Sequence, residues 1–229
     1  MQLPIHIVDA FTSEQFKGNQ AAVVVLEAWL PDATLQAIAT ENNLSETAFL
    51  VWSDDRAAFE IRWFSPIKEI AFCGHATLAS ACVLFASKPG CDRLTFWAAA
   101  VGNVVATLQA SGRIVMTFPR RDARSLANVL AALLEGLRPA PSVVLVNEQA
   151  YVAVYANEAD VRAVQPDLAR LQTLGPLDVV VTAPANPGAG YDFVSRCFWP
   201  ANGGDEDPVT GSIHAALAPY LSLIHISEP

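Results

Sequence analysis

Apolar and polar residues alternate with a period of two along much of this chain, and that pattern predicts strands. Ile5–Val8 and Ala21–Leu26 read this way, joined by a loop containing Gly18-Asn19. Asp32–Asn43 changes the period: Leu35, Ile38 and Ala39 have helical spacing, and Pro31-Asp32 is a suitable start. In Leu44–Val51 the last five residues read as a strand, with Glu46 interrupting the apolar entry to it. Phe59–Phe64 alternates with Glu60 and Arg62 opposite its aromatic residues. Leu94–Trp97, Gly102–Ala110 and Arg113–Phe118 give further strands, with Ser111-Gly112 as a turn. A helical stretch at Leu126–Leu137 precedes Pro139 and Pro141, which read as a linker. The pattern then restarts with strands at Ser142–Asn147, Tyr151–Tyr155, Val179–Ala183 and Tyr191–Phe198, and a helix at Glu158–Leu171.

Two segments break this β rhythm in the same way. Phe72-Cys73-Gly74-His75-Ala76-Thr77 opens a small-residue helix reaching about Phe85, and Asp207-Pro208-Val209-Thr210-Gly211-Ser212 opens Ile213–Leu221. A glycine entering a helix leaves backbone N–H groups and the positive end of the helix dipole facing whatever lies there. Each glycine is preceded by R-x-F-x-P, at Arg62–Pro66 and Arg196–Pro200, at slightly different distances. The shared sequel argues for an internal duplication over a chance three-position match. The expected plan is α+β: two similar lobes, each a curved, mostly antiparallel sheet or barrel around a central helix, at 1–120 and 121–220.

Composition narrows the partners. Among 229 residues 52% are hydrophobic and 16% charged, enough for a sizeable core. The net charge of −9, with no basic stripe, argues against a nucleic-acid partner. No apolar run spans a membrane, and the N-terminus lacks a signal-peptide pattern. Cys73, Cys82, Cys91 and Cys197 show neither C-x-x-C nor zinc-finger spacing, which fits reduced thiols in the cytoplasm, with Cys82 inside an apolar helix. The four histidines are not paired in spacing, so no metal site is expected. Phosphate-loop, dinucleotide and nucleophile-elbow motifs are absent. The last nine residues, Leu221–Pro229, resemble translated adapter sequence from a sequencing library. The natural chain is therefore expected to continue differently after Tyr220, and this one to be less stable for lack of its final strands.

The candidate chemistry rests on polar residues in apolar or glycine-rich settings. Apolar neighbours such as Leu44 and Phe49 disfavour a charged Glu46, which makes it a candidate acid/base. His75 and Ser212, at the two helix starts, are placed to bind a carboxylate-bearing small molecule. Asp207, read alone, is equally a cap or turn residue.

These motifs resemble the PhzF-like family of phenazine-biosynthesis-type isomerases. The similarity runs through Asp9-Ala10-Phe11-Thr12, Gly18-Asn19-x-Ala21, Ser45-Glu46-Thr47, Cys73–Thr77, Met116–Pro119 and Glu206–Ser212, essentially all of 1–220. Gln20 departs from it, standing where the family often has proline. The resemblance implies a diaminopimelate-epimerase-like fold with its site in the cleft between lobes, no cofactor or metal, and a homodimer as the usual assembly. It implies a proton shift within a dihydro-hydroxyanthranilate-like substrate. Glu46 would carry the proton, His75 and Asp207 would orient the substrate or relay protons, and Ser212, Gly74 and Gly211 would bind it. Epimerases and racemases of the same fold use two cysteines. Cys73 fills one comparable position, but 207–210 holds no thiol, so an isomerase is the better reading. A non-catalytic small-molecule-binding protein is the alternative from another class.

Overall fold

The computed structural model describes residues 2–14, 16–118, 120–207 and 209–226, without the side chains of 223–226. Pro119 and Pro208 of the motifs, and the end of the adapter-like tail, lie outside them. The chain divides into two compact units, Met1–Pro119 and Arg120–Pro229. Pro139 and Pro141 lie inside the second unit, so they do not link the two.

In the first unit the strands are β1 (His6–Ala10), β2 (Asn19–Leu26), β3 (Glu46–Ser53), β4 (Ala58–Phe64), β5 (Glu69–Ile70), β6 (Arg93–Ala98), β7 (Gly102–Leu108) and β8 (Ile114–Thr117). They form one mostly antiparallel sheet ordered β1-β2-β3-β4-β6-β7-β8, with β5 on β4. The parallel pairs are β2 with β3 and β4 with β6. Helix α1 (Asp32–Asn42) makes the first crossover, and α2 (Gly74–Ser87) the second. Helix α2 touches β1, β2 and β3 at one end of the sheet order and β7 and β8 at the other, so the sheet curls around it.

The period of two decides which side chains meet which helix. Ala21, Val23, Ala48, Leu50, Ile61 and Trp63 face α2, whereas Val24, Phe49, Val51 and Phe64 face Leu35 and Ala39 of α1. The inward side of α2 is built from Ala76, Ala79, Ser80 and Ala81, whose small side chains bring its backbone close to the strands. The buried hydroxyls of Thr77 and Ser80 are satisfied by carbonyls of Cys73 and Ala76 one turn earlier. Cys82, in contrast, lies on the exposed side of the helix.

The second unit adds β9 (Arg124–Ser125), β10 (Leu137–Arg138), β11 (Val143–Val146), β12 (Ala150–Val154), β13 (Gln165–Pro166), β14 (Asp178–Pro184), β15 (Phe193–Phe198) and β16 (Glu206–Asp207). Its main sheet runs β16-β15-β14-β12-β11-β9, and β10 pairs with β13. Its helices are α3 (Ala131–Gly136), α4 (Glu158–Ala163), α5 (Leu168–Gln172) and α6 (His214–Ile226). The helix expected over 126–137 is confined to its end. The helix expected over 158–171 divides at Pro166, which lacks the N–H a continuous helix needs. Leu145, Val152, Val154, Val180 and Cys197 face Ile213, Leu217 and Leu221 of the α6 segment. Leu221 is thus part of the core, although it opens the stretch set aside as adapter-like. Pro219 lies inside α6, and the carbonyl of Ala215 that it leaves without a donor accepts the Arg121 N–H at 3.1 Å.

Strand register makes the duplication explicit. Ala21 pairs with Glu46 and Ala150 with Asp178 on the parallel pairs; Thr47 pairs with Phe64 and Val179 with Phe198 on the antiparallel ones. Phe64 pairs with Glu69 and Phe198 with Glu206. In both units the arginine of R-x-F-x-P grips that glutamate bidentately: Arg62 holds Glu69 at 2.7 and 2.6 Å, and Arg196 holds Glu206 at 2.7 and 2.9 Å. Counting on from the paired glutamates, Cys73, Gly74 and His75 correspond to Thr210, Gly211 and Ser212. The difference in motif spacing falls wholly in the loops before β5 and β16.

The β1–β2 loop requires a glycine at 18. Its φ is +78°, and a Cβ there would lie 2.2 Å from the carbonyl oxygen of Ala10. Gly112 has a similar φ of +81° but open space around it. Gly18→Ala is therefore expected to destabilise the protein by more than the roughly 1 kcal/mol set by φ alone for Gly112→Ala. Urea unfolding midpoints of the two variants check this; equal losses would contradict it.

Candidate functional site

Glu46 is the first residue of β3, and alternation puts it on the same face as Ala48 and Leu50, toward α2. Ala21, its register partner on β2, lies on that face too, as does Asn19 two residues earlier. The N-terminus of α2 is delivered to the same place by Phe72, whose ring packs edge-on against Trp63 and Phe118, with centroids 5.4 Å apart in both pairs. Cys73 is the N-cap residue, Gly74 opens the helix, and His75 follows. Gly74 is not among the residues with positive φ, so the entry to α2 does not require the left-handed region there.

Sequence-distant polar groups therefore converge. Nε2 of His75 lies 3.1 Å from Oε2 of Glu46, with both side chains more than nine-tenths buried. The approach lacks hydrogen-bonding geometry, so Glu46 Oε2 is a buried acceptor without a hydrogen-bond partner. On the other side of the ring, Nδ1 of His75 is 3.3 Å from Sγ of Cys73 and 3.4 Å from Nδ2 of Asn19. Ser45 Oγ is 3.4 Å from His75 Nε2 and within reach of both Asn19 Oδ1 and the carbonyl of Gln20. The imidazole is thus flanked by a thiol, an amide, a hydroxyl and a carboxylate. Glu46 and His75 were legible in the sequence as candidates. Asn19, Ser45 and Cys73 stood beside them in the same motifs, and only the fold shows that they surround one ring.

The residues singled out in the second unit form their own cluster. Asp207 pairs with Cys197 through the backbone, and its carboxylate accepts from Thr210 Oγ1 at 2.5 Å and from the Val209 N–H at 3.4 Å. Ser212 is buried and accepts from Gln149 Nε2 at 2.6 Å. Gly211 and Ser212 form the turn just before α6, with the carbonyl of Ser212 accepting from Ala215. Asp178, which corresponds in register to Glu46, accepts from Asn202 Nδ2 at 2.8 Å. The one cysteine after residue 120, Cys197, has its thiol pushed far up by burial and, secondarily, by the Asp178 charge, so it stays protonated at neutral pH. Thr210 stands where the first unit has Cys73.

Among the described residues no helix is long and apolar enough to cross a membrane. Comparison with known proteins agrees with the motifs. The family model for phenazine biosynthesis-like proteins matches residues 8–226. An uncharacterized isomerase of Pseudomonas aeruginosa is 45% identical over 222 residues, covering 96% of this chain and 82% of that protein. Phenazine biosynthesis-like domain-containing protein 2 of Mus musculus is 38% identical over 244 residues, covering 97% of this chain and 84% of that protein. The crystal structure of a PhzF family protein from Enterococcus faecalis has a TM-score of 0.84 at 38% identity, over 99% of this chain and 84% of that one. The α+β arrangement of curled sheets is accordingly the diaminopimelate-epimerase-like one, and the chain belongs to the phenazine biosynthesis-like (PhzF) family.

Proposed function

We propose that this protein is an isomerase that moves a proton within a small carboxylate-bearing substrate, with Glu46 as the acid/base. The observation that carries this reading is the buried Glu46 carboxylate, one oxygen of which has no hydrogen-bond partner while it faces His75. A carboxylate so held can take a proton from an acidified C–H and return it to another atom of the same molecule. The shift changes no oxidation state, so it requires no redox cofactor. His75 stays beside Glu46 to orient the substrate or relay a proton. Gly74 and Gly211 are assigned to its carboxylate through their backbone N–H groups, and Asp207 and Ser212 to its polar substituents. A dihydro-hydroxyanthranilate-like compound, in which a ring C–H is activated by a neighbouring unsaturated acid, is the substrate class to try first.

The same chemistry weighs against the epimerase reading. Stereoinversion by two thiols needs a second base, and the position matching Cys73 is Thr210, while Cys197 is buried and protonated. A non-catalytic binding protein would use the same Glu46 oxygen only to accept a hydrogen bond from its ligand, and Glu46→Gln separates that role from proton transfer.

Glu46→Gln keeps the shape of the side chain and removes its capacity to exchange a proton. It is expected to lower kcat by roughly 10²–10⁴-fold with ligand binding retained. NMR in D₂O against dihydro-hydroxyanthranilate and a panel of amino acids reads the outcome. Unchanged turnover by Glu46→Gln would contradict the assignment, and exchange at an amino-acid α-carbon would move the protein to the epimerases. Ser212→Ala is expected to raise KM by about two- to tenfold with a much smaller change in kcat, as for loss of one hydrogen bond to a polar substituent. A change in melting temperature alone would reduce Ser212 to a structural partner of Gln149.

A further inference from the structure

Glu46, Cys73 and His75 bring together a carboxylate, a thiol and an imidazole that no short sequence spacing announces. One donor atom from each lies within 4.8 Å of the others, and all three residues are buried. We propose that these three side chains bind a thiophilic divalent cation, zinc in particular, and that the bound cation silences the Glu46 carboxylate.

A tetrahedral zinc with bonds of about 2.0–2.3 Å spaces its ligand atoms about 3.3–3.7 Å apart. Glu46 approaches Nε2 at 3.1 Å and Cys73 approaches Nδ1 at 3.3 Å, on opposite sides of the ring, so the ligand beside the nitrogen that stays free of metal has to swing in from within the 4.8 Å that the three donor atoms span. The imidazole lends one nitrogen to the ion, and the ring can choose either. Asn19 stands 3.4 Å from Nδ1 and Ser45 3.4 Å from Nε2, so the nitrogen not bound to metal keeps a polar neighbour. The independent pointer to a ligand is Glu46 Oε2, buried, facing the cluster and without a hydrogen-bond partner.

Charge decides between classes of cation. Binding releases the Cys73 proton to solvent, so thiol plus Zn²⁺ gives a zinc thiolate and H⁺. With the carboxylate ionised and the imidazole neutral, the two negative ligands balance the ion. This balance opposes the repulsion that an isolated cation would feel at the positive end of the α2 dipole. A thiol donor favours zinc, cobalt or cadmium over magnesium or calcium. Three protein ligands leave the fourth position open to water or a substrate oxygen. The binding claim stands on the donor set alone; only the loss of turnover rests on the proposed role of Glu46.

The probes are Co²⁺ and Zn²⁺ added to the full chain after chelator treatment. One equivalent of Co²⁺ is expected to produce thiolate-to-cobalt charge-transfer absorption, displaced by Zn²⁺ and unaffected by excess Mg²⁺. Cys73→Ser should abolish the band, Cys82→Ser should leave it, and Glu46→Gln should weaken Co²⁺ binding by about tenfold or more. If Cys73→Ser does not fold, the wild-type protein still decides. Zn²⁺ should slow iodoacetamide labelling of Cys73, read by peptide mass spectrometry, without slowing that of Cys82. Absence of the band at millimolar Co²⁺, its survival in Cys73→Ser, or unprotected Cys73 would overturn the proposal. If Zn²⁺ binds but leaves turnover intact, the metal site stands and the silencing of Glu46 falls.

Discussion

The close approach of α2 to the strands it crosses is the constraint on which the first unit depends. Ala76, Ala79, Ser80 and Ala81 allow the helix backbone to lie against Ala21, Val23, Ala48 and Leu50. A larger side chain at those helix positions would push the sheet open and displace the N-terminus of α2. Because that N-terminus carries Cys73, Gly74 and His75, the same packing that fills the core also sets the distance from His75 to Glu46. Core packing and site geometry are one quantity here.

The second unit repeats the frame and varies its contents. The bidentate arginine–glutamate clasp, the aromatic that follows the arginine and the glycine before the helix are all retained. At the strand start and at the helix entrance, Glu46 becomes Asp178, Cys73 becomes Thr210 and His75 becomes Ser212. Asp178 is engaged by Asn202, whereas Glu46 faces His75 with an oxygen that has no hydrogen-bond partner. The two units thus share a scaffold and differ in the polar residues it carries. That asymmetry supports the proposed single proton carrier over a matched pair of bases.

Much of the frame was legible because strands with one face on a helix alternate plainly. The runs at 21–26, 59–64 and 179–183 lie within observed strands, and the R-x-F-x-P repeat marked equivalent strand ends. Legibility failed where local propensity met tertiary context. Leu126 and Val129 have helical spacing, yet they pack from an irregular segment beside β9, and Pro166 divides a stretch whose apolar periodicity alone suggested one helix. Glu46 could be read because a carboxylate in an apolar setting stands out. The neighbours of His75 could not be read as a group, since Asn19, Ser45 and Cys73 meet only through β2–β3 register and the seating of α2. Glu46, Cys73 and His75 likewise carry no short metal-ligand spacing, because Glu46 joins the other two only through the fold.

In the proposed mechanism a single buried carboxylate carries the proton from one atom of the substrate to another. Single-turnover transfer with substrate deuterated at the donor carbon, run in ordinary water, tests it most directly. Part of the label is expected to reappear at the acceptor atom of the product in the wild-type protein, while Glu46→Gln forms no product on that timescale. Wild-type turnover by Glu46→Gln, with all the label lost to water, would contradict it.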